Sequence, residues 1–161
     1  METDETIKKG FLRLERYAQN IPGGFHCCAE DPENGYPFAY VSDRFLEILG
    51  WEREEFAARF DNRYTALIHP DDLAAGLRYR NAENSATYAK NGDSIFRILG
   101  KNGYRWVTNA ANQVEWYGKG YIVGTITDIT PYMELREKLE QQSRTQREAL
   151  ETANHNLLRM M

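Results

Sequence analysis

The tripeptide Lys101-Asn102-Gly103 constrains this chain more than any other feature. It separates two strand-like runs, Ser94–Gly100 and Tyr104–Trp116, both rich in aromatic and β-branched residues. Asn-Gly supplies the positive φ that a tight hairpin needs, so the two runs are expected to pair antiparallel. A second turn, Tyr117-Gly118-Lys119-Gly120, leads into a third run, Tyr121–Asp128. The result is a three-stranded meander, and a sheet of this kind needs another layer over its apolar face.

The residues upstream supply that layer and two more strands. Ile7, Phe11, Leu14 and Ala18 recur at helical spacing, so residues 1–20 read as an amphipathic N-terminal helix ended by Asn20-Ile21-Pro22-Gly23-Gly24. Phe25–Ala29 and Pro37–Val41 read as strands on either side of the turn-rich Asp31-Pro32-Glu33-Asn34-Gly35. Ser42 is a good helix N-cap, Phe45, Ile48 and Leu49 give the buried stripe, and Gly50 supplies a left-handed cap. Glu52–Ala58 is a second short helix, and Tyr64–Ile68 is a single turn. His69-Pro70-Asp71-Asp72 then predicts the start of a long helix, because Pro fits the first position and Asp favours the positive end of the dipole. That helix is expected to run to about Tyr88, with Leu73 and Leu77 facing inward, and to break at Asn91-Gly92-Asp93. The fold class is α+β with an antiparallel sheet.

After Pro131 the composition changes. Residues 132–161 hold no Gly and no further Pro, and they are rich in Glu, Gln, Arg and Leu. One long helix is predicted over 131–161. Leu150, Ala153, Leu157 and Met160 follow a coiled-coil spacing, and Tyr132, Leu135, Leu139 and Gln142 form an earlier, offset seam. The polar middle, Gln142, Ser143 and Gln146, makes this a marginal two-stranded coil. Since the helix is still running at Met161, an output domain is expected beyond it.

Charge and cysteine usage exclude several classes. The net charge is -4, and no segment concentrates basic residues, which disfavours nucleic acid and anionic membrane as partners. The two cysteines, Cys27 and Cys28, are adjacent and staple nothing, which suits a reducing cytoplasm. No apolar run approaches the ~20 residues of a membrane helix. The chain therefore reads as cytoplasmic and soluble, and an anchor elsewhere in a longer parent is left open. There is no phosphate-cradling glycine loop, nucleophile constellation or metal-ligand spacing, so no catalytic or metal residue is assigned.

Four blocks, in order and suitably spaced, resemble a known family. They are Ser42-Asp43-Arg44-Phe45-Leu46-Glu47-Ile48-Leu49-Gly50-Trp51 with Glu54-Glu55-Phe56; Ile68-His69-Pro70-Asp71-Asp72; Phe96-Arg97-Ile98-Leu99 with Lys101-Asn102-Gly103-Tyr104-Arg105-Trp106-Val107; and Gly124-Thr125-Ile126-Thr127-Asp128-Ile129-Thr130. Residues 21–130 resemble a PAS domain of the bacterial sensory subclass. The resemblance implies a five-stranded antiparallel sheet of order 2-1-5-4-3, helices over one face, and a pocket between them. It also implies a role as a non-catalytic sensor, with the exit helix leading to a histidine kinase, diguanylate cyclase or similar output, as in two-component signalling.

On the last strand Ile122, Gly124 and Ile126 make the more apolar face and are placed inward. The resemblance then adds Phe96 and Ile98, Val107, Asn109 and Ala111, and His26 and Cys28, with Phe45, Leu49 and Phe56 closing the helical side. These thirteen residues are the candidate pocket for an unidentified small molecule; a filled core serving only dimerisation is the alternative. Asp128 and Thr130, the Asp-x-Thr corner, either relay a signal or simply cap the exit helix. His69 reads as a capping residue and not as a haem or metal ligand. Flavin adduct chemistry is disfavoured because residues 57–68, where the light-sensing relatives carry their reactive cysteine, contain none. The outer sheet face, with Trp106, Thr108, Ala110, Val114 and Trp116, needs cover from the N-terminal helix or a second copy, so a homodimer is expected through that helix, the outer face and the C-terminal helix.

Overall fold

The computed structural model describes residues 2–18, 20–91 and 94–161, with the backbone alone at residues 2–4, 7, 11, 14, 18 and 89–91. The chain divides into two units, Met1–Asp128 and Ile129–Met161. In the first, α1 (Glu2–Ala18) precedes β1 (Gly24–Ala29) and β2 (Phe38–Val41). Then come α2 (Asp43–Leu49), α3 (Arg53–Arg59), α4 (Tyr64–Leu67), α5 (Leu73–Gly76) and α6 (Ser85–Asn91). The meander is β3 (Ser94–Gly100), β4 (Gly103–Trp116) and β5 (Lys119–Asp128). The strands form one antiparallel sheet in the order β2-β1-β5-β4-β3.

The hairpin closes at Gly100 opposite Gly103, which leaves Lys101 and Asn102 as the loop. Gly103 carries the positive φ, 122°, just inside β4. The glycine therefore acts after the turn, where a side chain would be strained. Ser42 caps α2 by accepting from the Phe45 amide at 3.2 Å, and it also accepts from the Phe25 amide at 3.0 Å. One hydroxyl thus ties α2 to β1. Phe45 brings its backbone against Gly24, where an added Cβ would lie 2.6 Å from the Phe45 Cα.

The inner sheet face and the short helices enclose one apolar core that includes Phe38, Phe45, Phe56, Leu67, Phe96, Ile98, Val107 and Ile126. Phe45 packs edge-on against Phe56 at 6.0 Å, and Phe56 lies tilted against Phe60 at 5.3 Å. Each such side chain, fully buried, contributes about 1.5–3 kcal/mol. On the outer face Cys27 and Tyr121 are buried among Phe25, Tyr40, Trp116 and Val123. α1 lies over part of this face: the Trp116 ring fills the space where Gly10 would carry a Cβ. The expected apolar stripe of α1, Ile7, Phe11, Leu14 and Ala18, lies outside the described side chains.

The single helix expected from Pro70 to about Tyr88 does not form. A 3-10 turn over Pro70–Asp72 gives way to α5, which stops at Gly76. The side chains of Asn81 and Asn84 then take the amides that a helix would use: Asn81 Oδ1 accepts from Glu83 and Asn84, and Asn84 Oδ1 accepts from Asn81. Among the described residues β4 also outruns β3, whose pairing runs to Ser94 opposite Asn109. The free edge beyond it draws in the intervening segment, with the Arg80 amide bonded to the Ala111 carbonyl at 2.8 Å and the Gln113 amide to the Arg80 carbonyl at 2.7 Å. Leu73 is consequently exposed, while Leu77 packs on the core. Of the expected break at Asn91-Gly92-Asp93, Gly92 and Asp93 lie outside the described residues.

The second unit is α7 (Thr130–Met160), one helix with Pro131 in its first turn. Leu135, Leu139, Leu150, Ala153, Leu157 and Met160 are all exposed along it. Among the described residues, no helix is long and apolar enough to cross a membrane.

Candidate ligand site in the sheet core

The site is built across the central strand. His26 on β1 and Ala111 on β4 both pair with Gly124 of β5. His26 and Asn109 are therefore two strands apart on one face, yet His26 Nε2 lies 3.1 Å from Asn109 Oδ1. Gly124 permits this: a Cβ there would sit 2.6 Å from the His26 nitrogen and 2.7 Å from the Asn109 oxygen. With Asn109 Oδ1 accepting, Nε2 carries the proton. Nδ1 then accepts from the Cys28 thiol, 4.0 Å away.

His26 and Asn109 are essentially inaccessible to water, at 0% and 1% exposure. Burial lowers the His26 pKa to about 4, against a smaller raising effect from its bond to Asn109. Burial also pushes the Cys28 thiol up, with the neighbouring Cys27 adding to it, and raises Cys27 to about 12. The cysteines are thus inert neutral core groups at neutral pH. Tyr64 stacks on His26 at 5.2 Å, and burial raises its phenol as well.

Beside the pair lies a cavity of about 10 Å³, lined by His26, Cys28, Tyr36, Tyr64, Gly76, Leu77, Arg78, Tyr79, Asn109, Ala111 and Ile122. That is room for about one water molecule. Of the thirteen residues expected from sequence, His26, Cys28, Asn109, Ala111 and Ile122 line it. Gly124 lies beneath the His26–Asn109 pair without lining the cavity, and Phe45, Leu49, Phe56, Phe96, Ile98, Val107 and Ile126 are buried in the packed interior outside the lining. The aromatic cluster around Phe38, Phe45 and Phe56 fills the space on that side. Sequence reasoning missed Tyr36, Tyr64, Gly76, Arg78 and Tyr79, and it placed Leu77 inward only on the long helix. Tyr36 lies in a loop, Tyr64 and Gly76 sit at the ends of the one-turn helices α4 and α5, and Arg78 and Tyr79 follow α5, where the elements are too short for a periodicity to mark an inner face.

At the other end, Asp128 accepts from Arg105 at 2.6 Å, and Thr130 is buried in the first turn of α7. His69 Nδ1 accepts from the Asp71 amide at 3.1 Å, which makes it the cap of the 3-10 turn. Asp72 holds that turn to β3 by a two-point pair with Arg97, and it also accepts from the Arg97 amide. The Arg97 side chain keeps the Asp72 carboxyl down at about 2.

The comparisons agree with this architecture. The PAS fold family matches residues 38–126, more than half of the chain. A sensory box histidine kinase/response regulator from Burkholderia thailandensis E264 is 25% identical with a TM-score of 0.50, covering 86% of this chain and 97% of that one. The PAS domain of an HTR-like protein from Haloarcula marismortui, 15% identical with a TM-score of 0.51, covers 78% of this chain and 96% of that one. An RNA-binding light-oxygen-voltage receptor, 20% identical with a TM-score of 0.54, covers 81% of this chain, which spans only 36% of the receptor chain. No match is found among curated proteins. The chain belongs to the PAS family, whose members are generally non-catalytic sensory modules of signalling proteins.

Proposed function

We propose that residues 21–130 take up a small molecule between sheet and helices, and that residues 131–161 pass the resulting change to an output domain in a longer parent protein. The observation that carries this reading is the His26–Asn109 pair beside a cavity. Apolar side chains would fill such a core without burying an imidazole and an amide. A few polar groups in an apolar setting are the usual makeup of a ligand site. The parent is a bacterial histidine kinase or diguanylate cyclase of the two-component type, working in the cytoplasm as a homodimer, with or without a membrane anchor of its own. No haem or flavin belongs to this reading. Sites for drug-sized ligands measure about 300–1,000 Å³, far beyond this cavity.

The test is a thermal-shift screen of small metabolites on the whole chain, with an absorbance spectrum and a native mass of the purified protein. A compound that raises the melting temperature, and no longer does so in Ala111→Leu, supports sensing. If no compound raises it, and only bare polypeptide is found, the reading falls. The second reading, a dimerisation scaffold with a filled core, is favoured by the small size of the cavity.

A further inference from the structure

Tyr64 is 5% exposed, and its hydroxyl has no hydrogen-bond partner among the described residues. Its ring stacks on His26 and meets Phe38 edge-on at 5.6 Å. Phenylalanine would make the same ring contacts without stranding a donor, which costs free energy when buried. Three other polar side chains of the lining, His26, Tyr79 and Arg78, are engaged. His26 holds Asn109 and Cys28, and Tyr79 donates to Glu30 at 3.2 Å. Arg78 donates to the Tyr88 carbonyl at 2.9 Å and lies 4.4 Å over the Tyr88 ring. The lining contains no carboxylate. Glu30, behind Tyr79, is taken up by Gln113 at 2.6 and 2.7 Å. A cationic guest would lose its hydration here with no carboxylate to meet it, and an anionic guest would have to draw Arg78 away from the Tyr88 carbonyl and ring.

We propose that the cavity takes a small neutral molecule bearing a hydrogen-bond acceptor, a carbonyl or a ring nitrogen, which the Tyr64 hydroxyl binds directly. This rests on the ligand-binding reading above and narrows it to a chemical class. The closed cavity has room for about one water, so a planar guest is seated beside the stacked His26 and Tyr64 rings only once the space is widened. It gains access when residues 77–88 lift. That cover is fastened to the β4 edge by the two Arg80 backbone bonds and by the Tyr88 hydroxyl, which accepts from the Ala111 amide at 3.2 Å. With the Tyr79 bond to Glu30, these are isolated bonds without a continuing ladder, and such contacts open at low cost.

The test uses four matched fragments on the whole chain, by calorimetry and thermal shift: acetophenone, ethylbenzene, benzoate and benzylamine. Acetophenone is expected to bind about tenfold or more tighter than the other three, since one lost hydrogen bond in a buried site is worth about that factor. Tyr64→Phe is expected to melt at or above the parent temperature, and to bind acetophenone about tenfold more weakly. Equal acetophenone binding by Tyr64→Phe overturns the proposal. So does equal binding of benzoate or benzylamine by the unaltered protein, a comparison that needs no variant to fold. If charged compounds bind and Ala111→Leu blocks them, the sensing reading stands and the Tyr64 assignment falls. If nothing of any class binds, both fall.

Discussion

His26 is shut away from water with Asn109, Cys28 and Tyr64 as its polar neighbours, and burial holds its pKa at about 4 against an ordinary 6.5. Above pH 6.5 the ring is neutral whether the chain is folded or not, and the full stability is present. Between 6.5 and about 4 the unfolded chain takes up a proton that the folded chain refuses, so stability falls as pH falls. The loss expected across that window is about 3 kcal/mol. Cys28 and Tyr64 stay protonated throughout, since burial pushes both upward. Asp72, held at about 2, titrates below the window. Urea unfolding at a series of pH values checks this: the slope between pH 6.5 and 4.5 is expected to flatten in His26→Gln. An unchanged slope would show that other groups carry it. At this scale the inner face of β5 was legible, because Ile122, Gly124 and Ile126 alternate with more polar residues. Tyr64 and Arg78 were not. Their place at the cavity depends on a fold of the intervening chain that no local pattern encodes.

Among the elements, strands were read more easily than helices. Alternation and the Asn-Gly turn act locally, and they fixed the meander almost to the residue, with Gly103 moving from the loop into β4 and Lys119 and Gly120 from the turn into β5. The long helix failed for a non-local reason. Its sequence is compatible with a helix, but the unpaired edge of β4 offers Arg80 and Tyr88 better partners. This account predicts that the cover is a weakly held unit. In Tyr88→Phe the ring stays and the bond to the Ala111 amide is lost. Hydrogen exchange at the Ala111, Arg80 and Gln113 amides is expected to quicken about fivefold, the value of one hydrogen bond near 1 kcal/mol. The β1 and β5 amides should not change. Unaltered exchange at Arg80 and Gln113 would mean that the cover is fastened elsewhere.

For the whole molecule, the open question is what the exposed seam of α7 meets. Leu150 is 64% exposed, Leu157 59% and Met160 84%, at the spacing of a two-stranded coil. A lone helix of this length has little besides its own backbone bonds to hold it, and packing an apolar stripe is the usual remedy. A second copy of this chain offers the same stripe, which makes a parallel pair of α7 helices the simplest partner. The polar middle at Gln142, Ser143 and Gln146 weakens such a pair without abolishing it. Sedimentation equilibrium is therefore expected to show a monomer–dimer equilibrium. Leu150→Glu combined with Leu157→Glu should weaken it about a hundredfold or more, since each buried Leu is worth about 1.5–3 kcal/mol. Circular dichroism of the sheet and the melting of the first unit should be unaffected, because both residues lie in the separate second unit. A dimer indifferent to both substitutions would place the contact on the outer sheet face around Trp106 and Val114. A chain that stays monomeric at every concentration would remove self-pairing altogether, and leave α7 to pair only with another protein.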